Sequence, residues 1–194
     1  MVKLGFIVEG STEKILIESP RFSLWLSLQG LELVKPVIDA KGGGNLLPKY
    51  LEPMVSTLNA VNADHIIILT DLENQVDIGG VKQRLVNEYT DLIFIAVKAI
   101  EAWFLADSLA MQQWLGLNEF YEEKPEETVG LPWDRLSDVA KELNKRGTGK
   151  SKPAFAKKMV KHYEFEIKNA AEHLNCPSAE FFCNGLMKLT ENSI

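Results

Sequence analysis

Residues 6–14, FIVEGSTEK, pass from an apolar run straight into an acid, a glycine and two hydroxyl residues. Phe6, Ile7 and Val8 end a run that begins at Leu4 and reads as a strand buried on both faces. Glu9 stands just past its end, Gly10 lets the chain turn, and Ser11 or Thr12 can cap the helix that follows. Glu13 falls in that helix's first turn, where the helix dipole favours a negative charge. No such routine account covers Glu9.

The same alternation continues outward through the first 110 residues. Apolar runs at Leu33 to Ile38, Ile66 to Leu69 and Leu92 to Val97 read as further strands. Between them, apolar residues recur at three and four positions: Ile15 to Leu28 with Pro20 bending the path, Leu46 to Leu58, and Val81 to Val86. Strand and helix alternating at this spacing predict an α/β fold, with an open, mainly parallel sheet and helices on both faces. From about Met111 the pattern is all helical, with segments at Trp133 to Asn144, Ala154 to Tyr163, Ile167 to Leu174 and Ala179 to Leu189. The expected organisation is therefore a core over 1–110 and a helical C-terminal extension over 111–194 packed on it. Candidate linkers are Glu122 to Pro132 and Gly147 to Pro153.

Composition bounds the function. The 194 residues are 46% hydrophobic and 25% charged, which is ordinary for a folded chain. The net charge of −6 excludes a protein that is basic overall, so contact with phosphate needs a local patch or a metal ion. Two cysteines, Cys176 and Cys183, form neither a secreted disulfide framework nor a paired zinc motif, and they read as reduced. No signal-peptide pattern opens the sequence, and no run approaches the length of a membrane span. The expected location is the cytoplasm, with no membrane partner.

Acids fall where a parallel sheet gathers them. Glu9 follows the first strand, Asp39 ends the second, Asp71 follows the third with Glu73 two residues on, and Glu101 follows the fourth. The carboxyl ends of parallel strands share one edge, and open sheets bind ligands in the crevice outside it. Converging carboxylates resist ionisation without a cation, and hard oxygen donors suit magnesium or manganese. Asp71 and Glu73, at i and i+2 in extended chain, point the same way. Each acid alone also reads as a helix cap, and DLENQVDIGG also reads as a surface turn.

VEGSTE after the first strand and TDLE after a later one resemble the Toprim domain. That fold is shared by type IA and II topoisomerases, bacterial primases, OLD-type nucleases and small related nucleases. Its signature is a glutamate after the first strand and an Asp-x-Asp pair after the third. Glu9 and Asp71 match; Glu73 stands in place of the second aspartate, which keeps the charge and lengthens the arm. KGGG at 41–44 and IEAWFLAD at 100–107 also resemble a largely uncharacterised prokaryotic family with a Toprim-like core. The resemblance implies magnesium-dependent phosphodiester hydrolysis, with a nuclease acting on DNA or RNA as the expected function and a partner ATPase as a possible companion. It makes Glu9, Asp71 and Glu73 the metal ligands; of the other acids near the sheet edge, Glu101 and either Glu13 or Asp39 are expected to complete the set. The alternative is a non-catalytic module that docks nucleic acid or a protein on the same edge.

Other stretches give weaker signals. Gly42, Gly43 and Gly44 can cradle a phosphate through backbone N–H groups or serve as a loose connection, and Lys41 is the base best placed to face substrate. RGTGKS resembles the end of a P-loop, but Asn144 stands where its first glycine should be and a helix precedes it, so a nucleotide triphosphatase is excluded. Lys150, Lys152, Lys157 and Lys158 can lie along nucleic-acid phosphates, or form a solvated face paired with the acidic run Glu119 to Glu127. Asp107 reads as a structural hydrogen-bonding acid.

Overall fold

The computed structural model describes residues 1–72 and 77–191. Five strands form one sheet: β1 (Val2–Val8), β2 (Leu31–Leu33), β3 (Ile38–Asp39), β4 (His65–Asp71) and β5 (Leu92–Ala96). The order across it is β2-β1-β4-β5, with β3 also paired to β1, and every pairing is parallel. The segment read as one second strand is two short ones, separated around Pro36. Proline has no N–H to give a ladder, so pairing with β1 lapses there and resumes at Ile38.

Alternate residues of the central strands face opposite sides, and helices cover both. On one side Ile7, Ile66, Ile68 and Ile95 pack with Leu51, Val55 and Leu58 of α3 (Pro48–Ala60) and with Val81 and Leu85 of α4 (Ile78–Leu85). On the other, Leu4, Phe6, Val8, Ile67, Leu69 and Phe94 meet α1 (Ser11–Ile17) and α2 (Pro20–Leu28), whose separation falls at Pro20. The same hydrophobic cluster takes in α5 (Glu101–Ala106), α6 (Ser108–Leu115), α7 (Pro132–Glu142), α8 (Lys152–His162), α9 (Ile167–Ala171) and α10 (Pro177–Glu191). All six residues of α5 are buried, which is why its sequence shows no polar face. Phe182 on α10 packs against Phe6, Phe22, Phe94 and Trp103, joining the sheet to the C-terminal helices by one aromatic group. Among the described residues no helix is long and apolar enough to cross a membrane.

Candidate active site

The register of β1 on β4 pairs Val8 with Leu69, so Glu9, just beyond β1, emerges beside Thr70 and Asp71; β4 runs two residues further than its apolar run, and Asp71 ends the strand instead of following it. Glu9 is tied there at several points. Its backbone N–H donates to the Leu69 carbonyl at 3.0 Å. Its Oε1 accepts from the Gly43 N–H at 3.2 Å, and its Oε2 accepts from the Asp71 N–H at 3.2 Å and from the Thr70 hydroxyl. A Cβ on Gly43 would approach Glu9 Oε1 to 3.2 Å, so a glycine allows this close contact. The turn before it runs through Gly42 at φ 119°, a conformation that glycine adopts without strain.

Asp71 is fixed from β5's side: its Oδ1 accepts from the Ile100 N–H at 2.8 Å, just before Glu101 opens α5. Glu13 reaches back from α1 so that its Oε2 accepts from the Gly10 N–H at 3.0 Å. Glu9, Glu13, Asp71 and Glu101 thereby share one neighbourhood. Burial, and after it Glu13, Glu101 and Glu9, push the Asp71 carboxyl well above its usual range. Burial, with Glu101 and Glu9, pushes Glu13 up to about 7. Glu13 is thus both a helix-start residue and a member of the acidic group.

A lysine completes the group. Lys152, at the start of α8, places Nζ 3.0 Å from Oε2 of the buried Glu101. Burial alone would lower its pKa, but Glu101, with Asp71 and Glu13 behind it, holds the ammonium above lysine's usual range. The packing of α8 on α1 brings it there. The basic-stretch reading did not single out Lys152 from its neighbours.

The other expected residues are placed differently. Asp39 joins the Lys41 side, not the acidic group: its carboxylate accepts from the Lys41 ammonium at 2.7 Å and the Ser11 hydroxyl at 2.8 Å. These bonds outweigh its burial and hold its pKa below the ordinary value. Lys41 is correspondingly committed to Asp39. Lys150, Lys157 and Lys158 are exposed, and among the described residues no ion pair joins the basic run to Glu119–Glu127. Asp107 caps α6 and also accepts from the Glu166 N–H at 2.9 Å, a structural role as expected. Glu73 lies outside the described residues.

Beside Glu9 and Asp71 opens a cavity of about 200 Å³, lined also by Gly43, Gly44, Leu47, Thr70, Val81 and Arg84. Arg84 carries no motif and escaped the sequence reading.

The donor set suits a hard divalent cation. Asp71 and Glu13, whose carboxyls burial and the neighbouring acids hold above their usual range, are groups that such an ion would ionise. Among the described residues no three histidines, cysteines or acids form a ready-made metal cage. The fit is therefore one of donor chemistry.

No family model matches the chain, and no curated protein matches it in sequence. Two solved structures of the C-terminal region of the Xanthomonas campestris pv. campestris OLD protein are similar to it. One, phased with mercury, has 16% identity, covers 97% of each chain and gives a TM-score of 0.42. The other, phased with iodine, has 13% identity, covers 98% of this chain and 97% of that one, and gives 0.40. Likeness at this level carries no argument about chemistry, which rests on the side chains themselves.

Proposed function

We propose that the protein hydrolyses phosphodiester bonds in nucleic acid with the help of magnesium or manganese. The observation that supports this is the meeting of Glu9, Glu13, Asp71 and Glu101 with Lys152 at the carboxyl edge of a parallel sheet. Glu9 and Asp71 would hold the ion, with Glu13 and Glu101 beside them and Glu73 as a further ligand suggested by the motif. When bound, the ion would supply Lewis-acid polarisation of the phosphate. Glu13, which such an ion would keep ionised, is suited to take a proton from an attacking water. Lys152, held charged by Glu101, is suited to offset negative charge that grows on the phosphate oxygens.

Cleavage of labelled single- and double-stranded DNA and RNA with magnesium or manganese tests this. Glu9→Gln and Asp71→Asn should each lower the rate by about a hundredfold or more, the scale of losing a positioned catalytic group. Undiminished cleavage in both variants, or none in the unaltered protein under any metal, removes the proposal.

One observation favours a second reading, a docking module without catalysis: Lys152 already supplies a positive charge within the acidic group. Calorimetry separates the two, since a docking surface need not take up magnesium.

A further inference from the structure

The cavity beside Glu9 and Asp71 combines features that the proposed hydrolysis does not use. Leu47, Leu72, Val81 and Leu85 give it apolar walls, Thr70 and the two acids give it a polar end, and Gly43 and Gly44 leave its border free of side chains. Its volume is about 200 Å³. Val81, Arg84 and Leu85 stand three and four residues apart on α4, so the arginine shares the face that forms the wall. Thr70, Val81 and Leu85 are buried while Gly44 and Arg84 are exposed, so the apolar part lies deep and the cation stands at the rim.

Arg84 is also uncommitted. Arg21 holds Glu164 and Glu166, and Arg135 holds Glu122 and Glu142. Among the described residues Arg84 makes no ion pair or side-chain hydrogen bond, although its cavity contains Glu9 and Asp71. A guanidinium presents a planar fork of donors that matches phosphate, and this one is free to use it.

We infer that this cavity receives one unpaired nucleotide of a nucleic-acid strand, its base in the slot between Leu47 and Leu85 and its phosphate on Arg84. The inference rests on the proposed function and names its substrate class: a nucleic acid with an unstacked, unpaired nucleotide next to the bond that is cut. A base within a duplex cannot enter a lateral slot without leaving its stack, so a single strand binds at lower cost. The apolar walls accept any base face, which makes the slot tolerant of sequence.

The test is fluorescence anisotropy of the full chain with a labelled oligothymidylate and a blunt duplex of the same length, in calcium. Arg84→Ala removes the cation and Arg84→Lys restores a charge. Gly44→Phe fills the border of the slot. Its φ is not in the left-handed region and an added Cβ meets no atom within 4 Å, so the fold should accept it. The single strand should bind about tenfold tighter than the duplex, and Gly44→Phe should erase that preference. Arg84→Ala should lower the salt slope of single-strand binding by about one, and Arg84→Lys should restore it. Magnesium uptake by the unaltered protein, measured by calorimetry, is scored separately. Absence of uptake overturns the proposed hydrolysis and this assignment with it. Uptake accompanied by equal binding of strand and duplex, or by folded variants that bind like the unaltered protein, overturns the slot and leaves the hydrolysis standing.

Discussion

Glu13 shows how one side chain records the state of a whole site. Its folded pKa of about 7 lies above glutamate's usual 4.5, so the folded chain binds a proton more tightly than the unfolded one. Stability from this group is full below the unfolded value and is lost as pH rises through about 7. In metal-free buffer the protein should lose about 1 kcal/mol between pH 6 and pH 8 from this group alone, and Glu13→Gln should flatten that part of the profile. Urea unfolding at several pH values measures it; an unchanged slope in the variant would show that another group carries the proton.

Lys152 makes the complementary case. Glu101 is almost wholly buried, with a side-chain exposure of 1%. Lys152→Met removes the ammonium 3.0 Å from that carboxylate and should destabilise the protein by about 3 kcal/mol. Adding Glu101→Gln removes the buried charge and should recover part of the loss. A double-mutant cycle by chemical unfolding checks this, and additive losses would mean that the pair is not coupled.

At the scale of elements, the junction of α10 with β5 is tighter than helix propensity suggests. Gly185 lies inside α10, where alanine would be worth about 1 kcal/mol by propensity. A Cβ there would come within 2.6 Å of two atoms of the Phe94 ring. Phe94 is itself wedged against Phe181 and Phe182, so it has little freedom to yield. Gly185→Ala should therefore destabilise by about 1–3 kcal/mol, and Phe94→Leu in the same chain should relieve part of it. A stabilised Gly185→Ala variant in a urea titration would contradict this packing. The neighbouring hydrogen bonds point the same way: the Ser178 hydroxyl near the start of α10 accepts from Trp103 Nε1 at 2.9 Å and from the Val97 N–H at 3.3 Å. α10 thus holds the turn that leads to Ile100 and Glu101.

For the molecule as a whole, the aromatic cluster implies a single folding unit. Leu4, Phe6, Phe94 and Trp103 share one core with Phe155, Phe165, Phe182 and Leu186. A chain ending at residue 110 would expose half of that core. It should bind a hydrophobic dye and unfold without a sharp transition, whereas the full chain should unfold cooperatively. Cooperative, dye-free unfolding of the short chain would show that the sheet and its first helices suffice.

Much of this was written in local order. The buried-strand runs, the helical spacing between them and the all-helical second half depend on residues a few positions apart, and their periods are legible without coordinates. So is the placing of Glu9 and Asp71 at the ends of two parallel strands, because a strand's end is a local event and parallel pairing puts such ends on one edge. What only tertiary structure decided is which charges meet. Asp39 ends β3 and Glu101 opens the helix beyond β5, yet one closes on Lys41 two residues away and the other on Lys152, 51 residues on. Nothing in the spacing separates Lys152 from Lys150 or Arg84 from Lys82. Their fates follow from the angle at which α8 lies on α1 and from which face α4 turns to the sheet. Those are set by the sum of many small apolar contacts across the core, and no short window of sequence contains that sum.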